Sequence, residues 1–215
     1  MIGHHSDIVT LEVCDDSQSL DIHGAFGGTL QNQSVICGGR DNHNLSQFDL
    51  TCHIIGLPNK TLALLEKRTY AAAVNLNEST IFTVGGLNSN TSEFITMDQP
   101  SQRGPDFPFQ VNDHCMVTYN SSTVYLIGGQ YSGNTSHSDK TWIIDPNNDN
   151  EIHEGPSLNI GRYGHSCGKI IRNGKILLVV ASGIGEPISG GQGQLLQSVE
   201  ILDPLMSQGW EMGMK

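Results

Sequence analysis

The sequence contains few charged residues and no cluster of basic ones. Asp, Glu, Lys and Arg make up 15 % of the 215 residues, and the formal net charge at pH 7 is −11. A protein with this charge repels polyanions, and no run of Lys or Arg provides a local basic surface against that background. The composition therefore argues against nucleic acid as a partner.

Long apolar segments are lacking as well. The longest apolar run, 176–181, is far shorter than the roughly 20 residues that a transmembrane helix needs. Residues 1–7 contain neither the basic region nor the apolar region of a secretory signal peptide. We therefore expect no membrane span in this chain, and an exported form would need a different N-terminus.

Motifs of catalysis are also missing. The histidines show no H-x-x-x-H spacing and the cysteines no C-x-x-C spacing, so no metal site is predicted. The sequence has no G-x-S-x-G elbow, and Gly190–Gly193 lacks the Lys and Ser/Thr of a phosphate-binding loop. His114 and His165 occupy corresponding positions, where we expect hydrogen-bonded structural histidines. The sequence predicts no catalytic residue and no cofactor.

What the chain does contain is a repeat. A short apolar strand that runs into a pair of glycines recurs at intervals of 43 to 55 residues, with Ser-Gly in the last copy. Each copy is preceded by another apolar strand and a polar turn, and is followed by a half-alternating third strand and, in most units, by a weaker fourth. The pattern predicts an all-β protein built from units of about four strands. The repeated segments are 35–39, 82–86, 126–129 and 180–183.

These units divide the chain as parts of one domain. We predict four units, at 24–66, 67–108, 109–158 and 159–215. Residues 1–23 look like a third and a fourth strand without a first and second before them. They belong either to a preceding unit, so that the chain is incomplete, or to the last unit, where they would close a small ring.

The repeat resembles that of the kelch family, in which an apolar run into Gly-Gly is followed at intervals by aromatic residues. Further matches are Arg68–Val74, Arg162–Ser166, and Ser198–Pro204 with Trp210 beyond it. The first two units lack the usual late Trp, Trp142 falls on a third strand, and Ser182-Gly183 replaces the last glycine pair. The resemblance implies a β-propeller of about four four-stranded blades with a leading half blade.

Glycosylation sequons are frequent. Seven of the sixteen asparagines stand in Asn-X-Ser/Thr, and six of these fall in two repeating loop positions, before and after the glycine strand. Such loops lie on opposite faces of a propeller. The pattern indicates a secreted glycoprotein, although turns enrich Asn, Ser and Thr without any glycan. The candidates are Asn32, Asn77 and Asn120 before the strand, Asn44, Asn90 and Asn134 after it, and Asn59.

The cysteine count is odd, at five. Cys37 precedes the first glycine pair and Cys52 ends the following strand, so a hairpin between them would place the two side by side; we predict that they form a disulfide. Cys115 and Cys167 lie on corresponding first strands, where we expect small buried hydrophobic side chains without a function. The pairing of Cys14, Cys115 and Cys167 stays open.

For function, we expect a non-catalytic module that binds a protein or glycan partner outside the cell through the loops of one face. In kelch proteins that bind peptides, a shared pocket is lined by residues just after the glycine pair and just before the first strand. The alternatives are an intracellular adaptor module, or a fragment of a copper enzyme that resembles galactose oxidase. Carried over by position, the pocket residues are Arg40, Asn42, Asn88, Gln130 and Tyr131, with Arg68 and Arg162 completing a positive rim for a carboxylate.

Overall fold

A computed structural model describes residues 22–41, 43–44, 46–131, 137–148, 152–186, 193–206 and 208–213. The described residues form strands, turns and loops, with no helix among them. The described residues therefore include no helix long and apolar enough to cross a membrane. Most of the predicted leading segment, 1–23, lies outside the described residues.

The described residues form 23 strands in chain order. They are β1 (Ile22–His23), β2 (Phe26–Leu30), β3 (Gln33–Cys37), β4 (Arg40–Asp41), β5 (Thr51–Ile54), β6 (Thr61–Ala63), β7 (Ala72–Asn77), β8 (Thr80–Val84), β9 (Ser92–Thr96), β10 (Gln102–Arg103), β11 (Val111–Asn112), β12 (Cys115–Asn120), β13 (Thr123–Ile127), β14 (Gln130–Tyr131), β15 (Thr141–Ile144), β16 (Ile152–Glu154), β17 (Arg162–Tyr163), β18 (Ser166–Arg172), β19 (Lys175–Ala181), β20 (Ile184–Gly185), β21 (Gln194–Leu195), β22 (Val199–Leu202) and β23 (Glu211–Met212).

Four antiparallel sheets of four strands follow one another along the chain. Sheet 1 has the order β2-β3-β5-β6, sheet 2 β7-β8-β9-β10, sheet 3 β12-β13-β15-β16 and sheet 4 β18-β19-β22-β23. Each sheet falls within one of the four predicted units. The remaining strands extend three of these sheets beyond the glycine pairs, as β1-β4, β11-β14 and β17-β20-β21. The prediction of an all-β protein is confirmed.

The glycine pairs lie where successive sheets approach each other most closely. Gly38, Gly85 and Gly128 all have positive φ, and a Cβ on Gly38 or Gly128 would lie 2.5 to 2.6 Å from a backbone oxygen of the next sheet. Only glycine fits this combination of backbone conformation and contact. Ser182 adopts the same conformation, with φ of 62°, but its side chain is exposed and no following sheet lies against it among the described residues.

Two backbone hydrogen bonds recur at each junction between sheets. The second glycine of a pair donates to the following sheet: Gly39 to Arg68, Gly86 to Val111 and Gly129 to Arg162, with N to O distances of 2.7 to 2.9 Å. In the other direction, Tyr70 N donates to Gly24 O, Asp113 N to Tyr70 O and Gly164 N to Asp113 O, at 2.7 to 2.9 Å. All four residues of this second series have positive φ. We call Gly24, Tyr70, Asp113 and Gly164 the inner series.

The apolar core lies between the sheets. Side chains alternate across each strand, so in sheets 2 and 3 one face packs on the preceding sheet and the other on the following one. The first strands β2, β7, β12 and β18 are neighbours in that order. The buried residues at the three junctions include Val35, Cys37, Ile81 and Ile95 between sheets 1 and 2, Phe82, Val84, Met116 and Leu126 between sheets 2 and 3, and Tyr125, Ile127, Leu178 and Val180 between sheets 3 and 4.

Two disulfides connect these strands. Cys37 and Cys52 are paired as predicted, because β3 and β5 place them directly opposite each other. Cys115 and Cys167 are also paired, with Cα atoms 6.0 Å apart, and they join the first strands of sheets 3 and 4. The expectation that these two are merely small buried hydrophobic side chains is wrong.

Candidate binding face

The predicted binding residues gather at one end of the sheets. We call it the glycine end: it is where the second strands run into Gly38-Gly39, Gly85-Gly86, Gly128-Gly129 and Ser182-Gly183. Beyond the pairs of sheets 1, 3 and 4 the chain continues into short two-residue strands before it turns to the third strand of the sheet. Of the predicted residues, Arg40, Asn88, Gln130 and Tyr131 lie at this end. Asn42 falls outside the described residues.

Arg40 is held by two side chains from neighbouring segments. Its Nε donates to His23 Nε2 at 2.9 Å, and its Nη2 donates to Tyr70 Oη at 3.3 Å. Tyr70 Oη also lies 3.1 Å from His23 Nδ1, so the three side chains form a closed set of contacts. The Arg40 guanidinium lies 5.6 Å from the centre of the Tyr70 ring, a distance at which the ring attracts the cation.

The positive charge of Arg40 has no carboxylate partner among the described residues. The nearest candidate in sequence, Asp41, accepts hydrogen bonds from the backbone N–H groups of His43 and Asn44, both at 2.7 Å. His23 and Tyr70 orient the guanidinium without neutralising it. A half-buried, oriented cation of this kind is suited to a negatively charged ligand.

Arg68 does not contribute to this face. It is buried in sheet 2, where its Nε donates to Glu93 Oε1 at 2.6 Å and both terminal nitrogens are bonded. The acceptors of those terminal nitrogens include the carbonyls of Gly85 and Thr91, at 2.7 and 3.0 Å, and Thr91 Oγ1. The guanidinium thus ties the segment before β7 to the glycine pair and to the third strand of sheet 2.

Arg162 repeats that arrangement in sheet 4. It is 0 % exposed, its Nη2 lies 2.6 Å from Glu200 Oε1, and it donates to the carbonyls of Ser182 and Ser198. The prediction of a rim with three arginines is therefore corrected, because two of them are satisfied inside the protein. The missed signal was the pairing: Glu93 and Glu200 occupy the same position on the third strands of sheets 2 and 4.

Tyr131 and Gln130 serve mainly to connect strands. Trp142 Nε1 donates to Tyr131 Oη at 3.0 Å, and the ring of Phe109 lies 4.7 Å from both aromatic rings. Burial raises the pKa of the Tyr131 hydroxyl, so the group stays neutral. Gln130 pairs with Asn112 and forms a backbone bridge to His137.

A polar groove of about 520 Å³ lies beside Tyr131, between sheets 3 and 4. The ring of His137, one of its lining residues, packs against the ring of Tyr163 with centroids 5.0 Å apart. Sequence reasoning missed this groove, because its walls come from loops of different units. It is lined by Tyr131, His137, Ser138, Asp139, Lys140, Asn159, Gly161 and Glu186.

Two further residues have strained or exposed positions at the glycine end. Asn88 is exposed and has φ of 62°, a conformation that asparagine tolerates better than most residues. Asp113, in the inner series, has φ of 53° and is half-buried. Burial raises the pKa of its carboxyl.

His114 and His165 fill the junctions just below the inner series. Both are buried, and neither ring makes a well-formed hydrogen bond among the described residues, so the expectation of hydrogen-bonded histidines is corrected. Burial, together with the neighbouring His165, lowers the pKa of His114 to about 3. Burial and the Arg162 charge lower the pKa of His165 to about 4, which the backbone of Ile127 offsets only in part.

The sequons lie at both ends of the sheets. Asn32, Asn77 and Asn120 are exposed in the turns between first and second strands, at the end opposite the glycine pairs. Asn59 is exposed in the turn between β5 and β6 of sheet 1. Asn44 is exposed at the glycine end. Asn90 is half-buried there, and its Nδ2 donates to Phe107 O at 2.8 Å. Asn134 lies outside the described residues.

Among the described residues, no three His, Cys, Asp or Glu side chains are grouped so that they could hold a metal ion. A scan of protein-family models finds no match to the chain, and a search of curated proteins finds none either.

Proposed function

We propose that the four sheets are blades of a kelch-type β-propeller and that the chain is a non-catalytic module that binds an acidic segment of a protein partner at the glycine end. The observation that carries this proposal is Arg40. It is the one predicted arginine that lies on the face, and His23 and Tyr70 hold it without neutralising it.

The arrangement of the sheets supports the propeller. First strands that are neighbours in chain order, together with the same two backbone bonds at every junction, are what radial packing of twisted blades requires. Such a scaffold holds the loops of one end in a fixed relation, as binding loops need.

The donors of Arg40 support an acidic ligand. His23 and Tyr70 engage one Nε and one Nη2 hydrogen, and a guanidinium carries five N–H donors. The remaining donors include the two on Nη1, and a carboxylate can accept two of them side by side. The aromatic ring of Tyr70 next to them offers an apolar surface for the methylene groups of Asp or Glu.

The location that fits this module best is extracellular. Two disulfides are compatible with an oxidising compartment, and five sequon asparagines are exposed. A glycan at Asn44 would stand at the edge of the binding face, whereas Asn90 is occupied by its contact with Phe107.

The test is a peptide selection followed by a titration. Phage-displayed random decapeptides are selected on the folded protein, and the enriched sequences are synthesised and titrated by fluorescence anisotropy. We expect Asp or Glu in the enriched peptides. Loss of one charged bond in Arg40→Gln should weaken their binding about tenfold or more.

Arg172→Gln is the matched control, because Arg172 is exposed at the opposite end of sheet 4. It should change the affinity less than about twofold, since surface charges away from a contact matter little. Enriched peptides without acidic residues, or equal affinity for Arg40→Gln and the unmodified protein, would overturn the proposal. Selection of a neutral glycan from a parallel array in place of any peptide would do the same.

A further inference from the structure

Sheet 4 has one face that no described part of the chain covers. Val179 and Ile201 lie opposite each other on this face, next to Ile170, which is 44 % exposed. In sheets 1 to 3 the residues at the position of Val179 are buried against the following sheet. They are Val35, Phe82 and Tyr125, with exposures of 2, 0 and 5 %.

At the glycine end of sheet 4, two backbone groups on the uncovered side lack, within the described part of the chain, the hydrogen-bond partners that the other sheets provide. Gly183 occupies the position from which Gly39, Gly86 and Gly129 donate to the following sheet. In the inner series, the carbonyls of Tyr70 and Asp113 accept from the N–H of the following member, and Gly164 is the last described member of that series. No sheet follows sheet 4 among the described residues, so neither group has its usual partner there.

Sheet 1 carries the complementary groups. Its Ile22 carbonyl stands where the carbonyls of Arg68, Val111 and Arg162 accept from the preceding sheet, and the N–H of Gly24 stands where Tyr70, Asp113 and Gly164 donate. The face of sheet 1 turned away from sheet 2 includes Thr29 and Ser34, both exposed. The described residues thus offer both halves of one more junction.

We propose that two copies of this chain associate head to tail, with sheet 4 of each packed on sheet 1 of the other. A head-to-tail contact forms a closed ring when its rotation returns to the start. Two copies of four sheets make eight, which is within the range of about 4 to 8 blades that propellers adopt. The inference rests on the proposed propeller architecture and extends it from one chain to two.

A cross-linking experiment tests the junction directly. At the junction of sheets 1 and 2, a Cβ on Gly28 would lie 2.8 Å from Asn75 Oδ1. The equivalent pair across the new junction is Gly168 of one copy and Thr29 of the other. A Cβ at Gly168 meets nothing within 4 Å, and Thr29 is exposed, so both positions accept a cysteine.

Two single variants, Thr29→Cys and Gly168→Cys, are made with Cys14→Ser, mixed and oxidised. We expect a covalent dimer in the mixture, with a peptide joining residues 29 and 168 found by mass spectrometry. Neither variant alone should give that peptide. Thr29→Cys mixed with Ile171→Cys is the control: Ile171 is 79 % exposed but lies on the other face of β18, so it should not form a link.

A variant with Thr29→Cys and Gly168→Cys in the same chain separates two ways in which the open face of sheet 4 could be covered. A 29–168 link within one chain would show that four sheets close on themselves, and would overturn association of two copies. Absence of any such link, with a monomer mass by light scattering, would overturn it as well. A chain that stays monomeric but still binds acidic peptides through Arg40 would leave the proposed function intact.

Discussion

The ring of His165 lies directly over Gly128 of the preceding sheet. A Cβ on Gly128 would be 2.7 Å from Cε1 of that ring and 2.6 Å from the carbonyl oxygen of Arg162. The glycine pair and the buried histidine are therefore two sides of one contact, and each restricts what the other position can hold.

This contact predicts a large cost for Gly128→Ala. The left-handed backbone alone costs about 1 to 2 kcal/mol for a residue with a Cβ, and the clash with backbone adds to it. Gly174→Ala is the control, because Gly174 has φ of 74° but nothing within 4 Å. In urea unfolding, we expect the free energy of unfolding to fall clearly further for Gly128→Ala than for Gly174→Ala. Equal losses would contradict a tight junction.

Acid should destabilise the fold below about pH 6.5. The unfolded chain protonates His114 and His165 near their ordinary value of 6.5, whereas the folded protein does so only near 3 and 4. The unfolded state therefore binds more protons, and the free energy of unfolding falls as pH falls from 6.5 to 4, by up to about 1.4 kcal/mol per pH unit for each histidine. His114→Leu should flatten this dependence in urea titrations, while His153→Leu, at an exposed site, should not.

The buried ion pairs should be costly to break and cheap to replace. Glu200→Gln leaves the Arg162 charge buried without its partner, which costs about 3 to 5 kcal/mol. The double variant Arg162→Met with Glu200→Leu should recover most of this, since sheet 3 has Val111 and Trp142 at the same two positions. The denaturant midpoints of the unmodified protein, Glu200→Gln and the double variant test this expectation. A double variant as unstable as Glu200→Gln would show that the sheet needs the ions themselves.

Loss of the Cys115–Cys167 disulfide should weaken the attachment of sheet 4. The two cysteines are 52 residues apart, and the chain-entropy model assigns such a loop about 4 kcal/mol. Replacing both by Ala should lower the thermal midpoint more than replacing Cys37 and Cys52, whose separation is 15. Thermal unfolding followed by circular dichroism measures both. A larger loss for the Cys37 and Cys52 variant would contradict the expected order.

Glycosylation should follow the exposure of the sequons. When the chain is secreted from a eukaryotic host behind a supplied signal peptide, we expect glycans on Asn32, Asn77 and Asn120. Asn90 should carry little, because its amide is bonded to Phe107. Glycosidase treatment and peptide mass spectrometry provide the occupancy. Unmodified Asn77 in the secreted protein would refute the assignment.

The sequence predicts the strands and the glycine pairs well, because both depend on local patterns. The Cys37–Cys52 disulfide was predictable for the same reason, since one hairpin sets its register. The Cys115–Cys167 disulfide was not, because it depends on how the first strands of two sheets are offset. The burial of Arg68 and Arg162 could not be deduced from their positions alone: it requires knowing that Glu93 lies against Arg68 and Glu200 against Arg162. The contact of Arg40 with His23 and Tyr70 likewise joins three separate segments.

The inner series has a consequence for how such a chain can grow. The backbone of Tyr70 and that of Asp113 each donate to the preceding member of the inner series and accept from the following one. Their surroundings therefore do not depend on how many sheets lie further along. Duplication or loss of a whole unit at either end would leave these internal junctions chemically unchanged. The length of the array can therefore vary in evolution while the loops at the glycine end acquire new sequences.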